Sequence, residues 1–429
     1  KMILYIMEET IKSKFKEIYG REPSIISKCP ARVEFIGNHT DYNKGTAIGS
    51  CIDLYLYVAI SSSDDKTMTF SSELFQYKKE AVSTEDFLSK PMTYFSSKSW
   101  TSFPLGVYLG LIENGYSLIQ GFNYLVISNI PSGAGLSTSA AIDLASGVSF
   151  LEFTKTCPID LSVNTKNFNI LDNESRKKLA LICKESDNKY VGIPCGILDQ
   201  AVCGFGKKNN LVHIDCNKVE FKLIPLPRKV FFWIFNTHSK HTLIESLYST
   251  RYNECMSACK TLGVDSLSEL ASERLSEVKG KVEETIYKRV KHVVEEIERV
   301  RLVDVLLSER EKYINGNSDA DGKMNKEEEI LQKIGDLMIQ SHCSSQKYYD
   351  NSTAELDFLV ELLRKDKNAY GCRLSGGGFG GAVLAMTNEL FDGKVADEVV
   401  KEYFSKFGNE CEYIKAMSAE EMSYTNLNI

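Results

Sequence analysis

The sequence predicts an α+β protein of two lobes, each combining a mixed sheet with helices, and a functional site in the cleft between them. Three observations carry that expectation. The chain has 429 residues, beyond the roughly 250–300 at which a single core stops growing. Around residues 124–153 the order is apolar strand, glycine-rich turn, buried helix. A new apolar strand starts at Phe231 (FFWIFN) and leads into long charged helical sequence, which divides the chain into lobes 1–227 and 228–429.

Taken in order, the first 25 residues read as an amphipathic helix, with Ile11, Phe15 and Ile18 at helical spacing among Lys and Glu. Apolar β-rich runs follow at Ser50–Ile60 and Tyr124–Ile130, and then a turn begins at Pro131. The small-residue segment STSAAIDLASGVSFLEF reads as a buried helix. Val212–Pro227 returns to strand character. Thr242–Ile339 is helical and charged, interrupted at Ile314–Glu329 by Gly, Asn, Ser and Asp. A helix at Leu356–Leu363 precedes RLSGGGFGGAVLAM, a second glycine cluster running into a strand.

Composition narrows the function. The chain is 43% hydrophobic and 25% charged, ordinary globular values. Its formal net charge of -7 and the lack of a long basic run argue against nucleic acid. Twelve cysteines are scattered singly and read as free thiols of a reducing cytoplasm. With no CxxC pair and no matching histidine spacing, a structural zinc site is not expected. The opening apolar run is cut by Glu8 and Glu9, too short for a signal core or a membrane span.

Three segments carry chemistry. In IPSGAGLSTSAA (130–141), Gly133 and Gly135 permit close backbone approach, and small hydroxyl residues open a helix whose free amides and dipole favour an anion. The spacing is neither a P-loop nor a dinucleotide fingerprint, and a glycine-rich turn alone is more often structural than functional. In PARVEFIGNHTDYNKG (30–45), an apolar strand runs into a turn bearing Asn38, His39, Asp41 and Asn43. These short polar groups suit sugar hydroxyls or ordinary turn chemistry. Arg32, just upstream, suits either a structural ion pair or a transferring phosphoryl group. In VGIPCGILDQAVCGFG (191–206), Asp199 is a lone carboxylate among apolar and small residues, a candidate base or a helix cap.

Together and in this order, the three segments resemble the galactokinases within the GHMP small-molecule kinases. Further agreement lies in SLYSTRYNEC, KHVVEEI, LMIQSH and RLSGGGFGGA, and in Trp100 and Gly106, so the likeness spans most of the chain. The resemblance implies a GHMP kinase-like fold, ATP and Mg²⁺ as cofactors, a small sugar as substrate, and a monomer. Residue by residue it implies catalytic roles for Asp199 and Arg32, and sugar contacts from Asn38, His39, Asp41, Gly196 and Tyr248. It implies phosphate contacts from Gly133, Gly135, Ser137, Thr138 and Ser139, and a metal held by Ser139 and Asp187. The HTDY turn sets the chain apart from mevalonate and homoserine kinases.

Two positions depart from the family. Asp187 stands where galactokinases usually carry glutamate, so a shorter carboxylate must reach the metal through water or a shifted backbone. Asn38 stands where they carry the glutamate that accepts the sugar's 6-hydroxyl. A neutral amide there no longer repels a 6-carboxylate, which keeps a galacturonokinase open beside the expected galactokinase. A non-catalytic galactose and ATP sensor is the remaining alternative. Finally, Asn317–Glu328 (NSDADGKMNKEE) has the spacing of a calcium-binding EF-hand loop, although a solvated insertion between helices is the expected reading.

Overall fold

The computed structural model describes residues 2–96, 99–240, 244–315 and 320–428. Strands β1 (Ile25–Ile36), β2 (Thr46–Ser62), β3 (Thr67–Ser72), β4 (Glu80–Ser83), β5 (Phe122–Ser128), β6 (Asn210–Asp215) and β7 (Glu220–Pro225) belong to one sheet. Strands β8 (Phe231–Lys240), β9 (Ala369–Ser375), β10 (Gly380–Thr387) and β11 (Glu412–Ala416) form another, ordered β11-β8-β10-β9. The last strand, β12 (Ser423–Asn426), returns to the first sheet and pairs antiparallel with β1. The first sheet runs β12-β1-β2-β5-β3-β4, with β6 joined to β2 and β7 to β6. It is mixed, because β3 and β5 are parallel.

Helix Thr138–Lys155 packs on β1 and β2, and its small residues allow nearly its whole circumference to be buried. Helix Met2–Tyr19 covers the opposite side, burying Ile11 and Phe15 against Tyr55, Tyr57 and Leu125. Each fully buried side chain of that size contributes about 1.5–3 kcal/mol. One core runs continuously from this sheet into β8 and β10 through Phe232, Ile234, Ala382 and Leu384, so the two sheets are fastened together beneath the cleft.

The charged string at 317–328 differs from its sequence reading. Asn317, Ser318 and Asp319 lie outside the described residues, but from Ala320 a single helix runs to Ser344. From 320 onward the backbone that an EF-hand loop would need irregular is therefore helical, while Glu328 and Glu329 stay exposed, as a solvated segment requires. Glu327 pairs with Arg310 at 2.5 Å, and Glu328 accepts the Tyr370 hydroxyl at 2.8 Å. Tertiary packing of Ile330, Leu331, Ile334 and Met338 overrides the weak local propensity.

That helix reaches the second sheet through a glycine contact. A Cβ on Gly335 would sit 1.9 Å from the Tyr370 carbonyl oxygen, and one on Gly371 would sit 2.2 Å from the Gly335 oxygen. Gly335→Ala is expected to destabilise the fold by about 2 kcal/mol or more, because overpacking outweighs the better helix propensity of alanine. Denaturant unfolding checks this, and an unchanged or raised midpoint would refute it.

Candidate active site

The cleft forms where three distant segments meet. Alternation along β1 sends Ala31, Val33 and Phe35 into the core and turns Arg32 and Glu34 toward the cleft. Arg32 is 4% exposed and donates to Asp199 from Nε at 2.8 Å and Nη2 at 2.7 Å. Its Nη1 donates to the Gly135 carbonyl at 2.6 Å. Asp199 sits in the first turn of helix Leu198–Phe205 and keeps about a third of its side chain exposed. Its other oxygen accepts the Ser137 hydroxyl at 2.5 Å. Strand β1, the glycine-rich loop at 133–137 and helix Leu198–Phe205 are thus tied at one point.

Ser137 is in the left-handed conformation (φ 61) at the start of helix Thr138–Lys155, and its side chain does not cap that helix. With the hydroxyl spent on Asp199, the first amides of the helix are left without intrahelical acceptors and face the cavity lined by Gly133, Gly135, Ser137, Thr138 and Ser139. Beside it lies an apolar cavity of about 670 Å³ walled by Leu74, Phe75, Trp100, Phe103 and Ile130. Leu74 and Phe75 are exposed at its rim. Apart from Trp100, sequence reasoning missed this wall, whose only trace was an isolated apolar pair in a polar loop.

Asp187 and Ser139 border the same cavity. Asp187 is 3% exposed; Oδ2 accepts from Gln200 at 3.1 Å, and Oδ1 has no partner among the described residues. One turn beyond Ser139, fully buried Asp143 faces Asp187 carboxyl to carboxyl and has no other side-chain partner among the described residues. Burial lifts Asp187 to about 7, and burial followed by the Asp187 charge lifts Asp143 well above the carboxylate range. Two facing buried carboxyls with no cationic side chain paired to them, next to a serine hydroxyl, fit a hard divalent cation. Among the described residues no cluster of three or more His, Cys, Asp or Glu side chains encloses an ion alone. A magnesium ion here would take its remaining ligands from phosphate and water.

The turn after β1 brings Asn38, His39 and Asp41 to the other end of the cleft, with Gly196 and Tyr248. His39 is held in the left-handed region (φ 59). Its Nε2 donates to the Gly377 carbonyl at 2.9 Å, so Nδ1 accepts from the Tyr42 hydroxyl at 2.8 Å. Burial lowers this imidazole to about 4, keeping it neutral. Both nitrogens are committed to protein, so His39 offers a substrate its ring rather than a free nitrogen. Asp41 accepts the amides of Tyr42 at 2.9 Å and Leu198 at 3.4 Å. Burial, with the Asp199 charge behind it, raises its carboxyl to about 6.

Asn38 is wholly buried and fully used. Nδ2 donates to Glu34 Oε1 at 2.9 Å and to the Gly376 carbonyl at 2.7 Å, while Oδ1 accepts from Asn351 at 2.9 Å and Ser345 at 3.3 Å. A neutral residue 38 therefore does not make this end of the cavity neutral, because Glu34 lines it too. Sequence reasoning missed Glu34, though a charge two residues beyond Arg32 in an apolar strand was the available signal.

Helices Glu284–Asn315 and Ala320–Ser344 hold this turn from behind. Glu296 accepts the amides of Gly37 and Asn38 at 3.0 and 3.1 Å and the Ser341 hydroxyl at 2.7 Å. Against the upward push of burial, Arg299, His292 and Arg373 keep it well below the usual carboxylate range. Arg373, fully buried, pairs with Glu34 at 2.8 Å. From β9, the Ser375 hydroxyl accepts the Glu34 amide at 3.1 Å, so the second glycine cluster closes over both loops.

A glycine-rich loop, an ion pair docked on it and a polar pocket across the cleft fit the class that the comparisons show, a GHMP-type small-molecule kinase. Residues 13–62 match the galactokinase galactose-binding signature, 103–207 the GHMP kinases N-terminal domain, and 327–408 the GHMP kinases C-terminal family. Galactokinase of Clostridium beijerinckii is 30% identical over 407 residues, 93% of this chain and 94% of that one. The Thermosipho africanus galactokinase is 32% identical over 394 residues, 92% and 97%. The crystal structure of Lactococcus lactis galactokinase complexed with galactose superposes with a TM-score of 0.83 at 26% identity, covering 98% of this chain and 100% of that one. A mevalonate kinase, 16% identical with a TM-score of 0.57, shares the fold alone. The chain belongs to the galactokinase family.

Proposed function

We propose that this chain transfers the γ-phosphoryl group of ATP to O1 of galactose, giving galactose 1-phosphate. The observation that carries this reading is the Arg32–Asp199 pair fixed to the phosphate loop through Gly135 and Ser137. Asp199 orients the O1 hydroxyl and takes its proton, and Arg32 offsets charge on the transferring group. The first amides of helix Thr138–Lys155 receive the phosphates, and the apolar cavity by Phe75 and Trp100 takes the base. Ser139 and Asp187 would hold Mg²⁺, which supplies positive charge to the phosphate oxygens when bound. No covalent enzyme intermediate is required. We also infer lobes 1–227 and 228–429, the second sending β12 back into the sheet of the first, a monomeric chain and a cytoplasmic location, the last from twelve free cysteines. Among the described residues no helix is long and apolar enough to cross a membrane.

ADP release on adding galactose tests the reading, and its absence while both ligands bind would mark a sensor. Asp41, held among Tyr42, Leu198 and Gly196, governs the ring hydroxyls. Galactose is accordingly expected to exceed glucose by roughly tenfold or more in kcat/KM, since a mismatched 4-hydroxyl leaves a buried group unpaired. Equal use of both sugars would remove that role. Ser139→Ala is expected to raise the KM for MgATP more than the KM for sugar, and the reverse pattern would contradict its place on the nucleotide side.

A further inference from the structure

The backbone of Asn38 is gripped by two side chains that do not reach the cleft. His292 and Glu296 stand one turn apart on helix Glu284–Asn315, so both project from one face. Glu296 Oε1 accepts the Asn38 amide at 3.1 Å together with that of Gly37, and His292 Nε2 donates to the Asn38 carbonyl at 3.2 Å. His292 Nδ1 then accepts the Ser344 hydroxyl at 2.9 Å. Burial pushes this imidazole down to about 3 and keeps it neutral, which lets one nitrogen donate while the other accepts. Both side chains are fully buried, and neither lines the cavities that carry Asp41, Asp199 and the glycine-rich loop.

The grip falls on the peptide that leads into the strained residue of the turn. His39 lies in the left-handed region, which a residue with a Cβ keeps only where its surroundings over-determine it. The oxygen of the peptide before it is the one His292 holds. Tyr349 adds a second link, since its ring lies 4.6 Å from that of His39 and 4.4 Å from that of His292, centroid to centroid. The glycine-rich loop at 133–137 is fastened differently, through Arg32 and Asp199. Helix Glu284–Asn315 therefore bears on one end of the cleft and not on the other.

We propose that His292 and Glu296 are positioning residues for the sugar, which place His39 and Asp41 by holding the two peptide units of Asn38 and touch neither substrate. The proposal rests on the kinase reading above for what occupies the turn. Without the His292 donor the Asn38 carbonyl is buried and unpaired, and the turn relieves that cost by moving, which carries His39 and Asp41 out of place.

The test measures galactose dissociation constants by calorimetry, and the KM for galactose and for MgATP, on wild type, His292→Leu and His292→Gln. Glutamine puts a donor where Nε2 stands, and leucine removes it. His292→Leu is expected to weaken galactose binding about tenfold with the KM for MgATP within about twofold of wild type, and His292→Gln to stay within about threefold for both. A His292→Leu variant that unfolds at lower denaturant yet binds galactose as wild type does would overturn the proposal. Equal losses toward galactose and MgATP would do the same, because both results mark a purely structural residue. Glu296 supplies an independent pair of variants. Glu296→Gln with Arg299→Gln keeps an oxygen for the two amides and gives the new NH2 group an acceptor, whereas Glu296→Ala with Arg299→Leu removes the oxygen without stranding the charge now paired at 2.6 Å. The first should bind galactose within about threefold of wild type and the second about tenfold more weakly. Equal affinities in the two would count against the proposal. If wild type binds galactose without releasing ADP, the kinase reading fails separately, and the same affinity ratios decide the role of His292 and Glu296.

Discussion

Asp199→Asn is expected to lower kcat for galactose phosphorylation by about a thousandfold, within the range a positioned general base supplies. Asparagine keeps the shape of the side chain and still offers Arg32 an oxygen, but it cannot take a proton from O1. Loss of the charge leaves Arg32 without a counter-ion in that pair, held by neutral oxygens of the new amide and of the Gly135 carbonyl. Breaking a fully buried pair costs several kcal/mol. Here the carboxylate is about a third exposed, so solvent screens much of that loss and the variant should fold. Sugar and MgATP affinities, read by calorimetry, should stay near wild type. Turnover within tenfold of wild type would remove Asp199 from the chemistry, and loss of both affinities would make it a structural residue.

The strand–loop–helix around Pro131 and the fresh start at Phe231 were legible because each is local: apolar periodicity, glycine and small residues within a short window. The meeting of Arg32 with Asp199, 167 residues apart, was not written in either segment. It came from the ordered likeness to a family. What remained hidden is long-range and polar. Glu296 clamping the Gly37–Asn38 amides and Arg373 pairing with Glu34 join residues about 260 and 339 positions apart. The stretches that carry them, KHVVEEI and RLSGGG, were visible as likenesses without a stated job. Return of β12 to β1 was equally illegible, since a four-residue strand of polar sequence gains its ladder only from its neighbour. The helix through 320–329 was misread for the reciprocal reason: Gly, Asn and Asp argue locally for a loop, and the buried face that overrules them begins at Ile330.

Gly196→Ala is expected to lower kcat/KM for galactose by about a hundredfold with the KM for MgATP nearly unchanged. Gly196 has no positive φ, so alanine is tolerated by the backbone itself. The difficulty is steric and directed at one group. An added Cβ would lie 2.2 Å from Asp41 Oδ2, 2.3 Å from its Cγ and 2.7 Å from the Tyr42 amide. Asp41 is the yielding partner, because its carboxylate is held by the single amides of Tyr42 and Leu198, whereas the backbone of the turn is locked by Glu296. Displacing it disturbs the proposed sugar end of the cleft and leaves the glycine-rich loop at 133–137 untouched. The pair also supplies its own control. If the clash with Asp41 is the whole cause, Gly196→Ala added to Asp41→Ala should cost far less than it does alone, a coupling that double-mutant kinetics measures directly. Additive losses would mean that Gly196 serves the sugar in some way other than making room for Asp41.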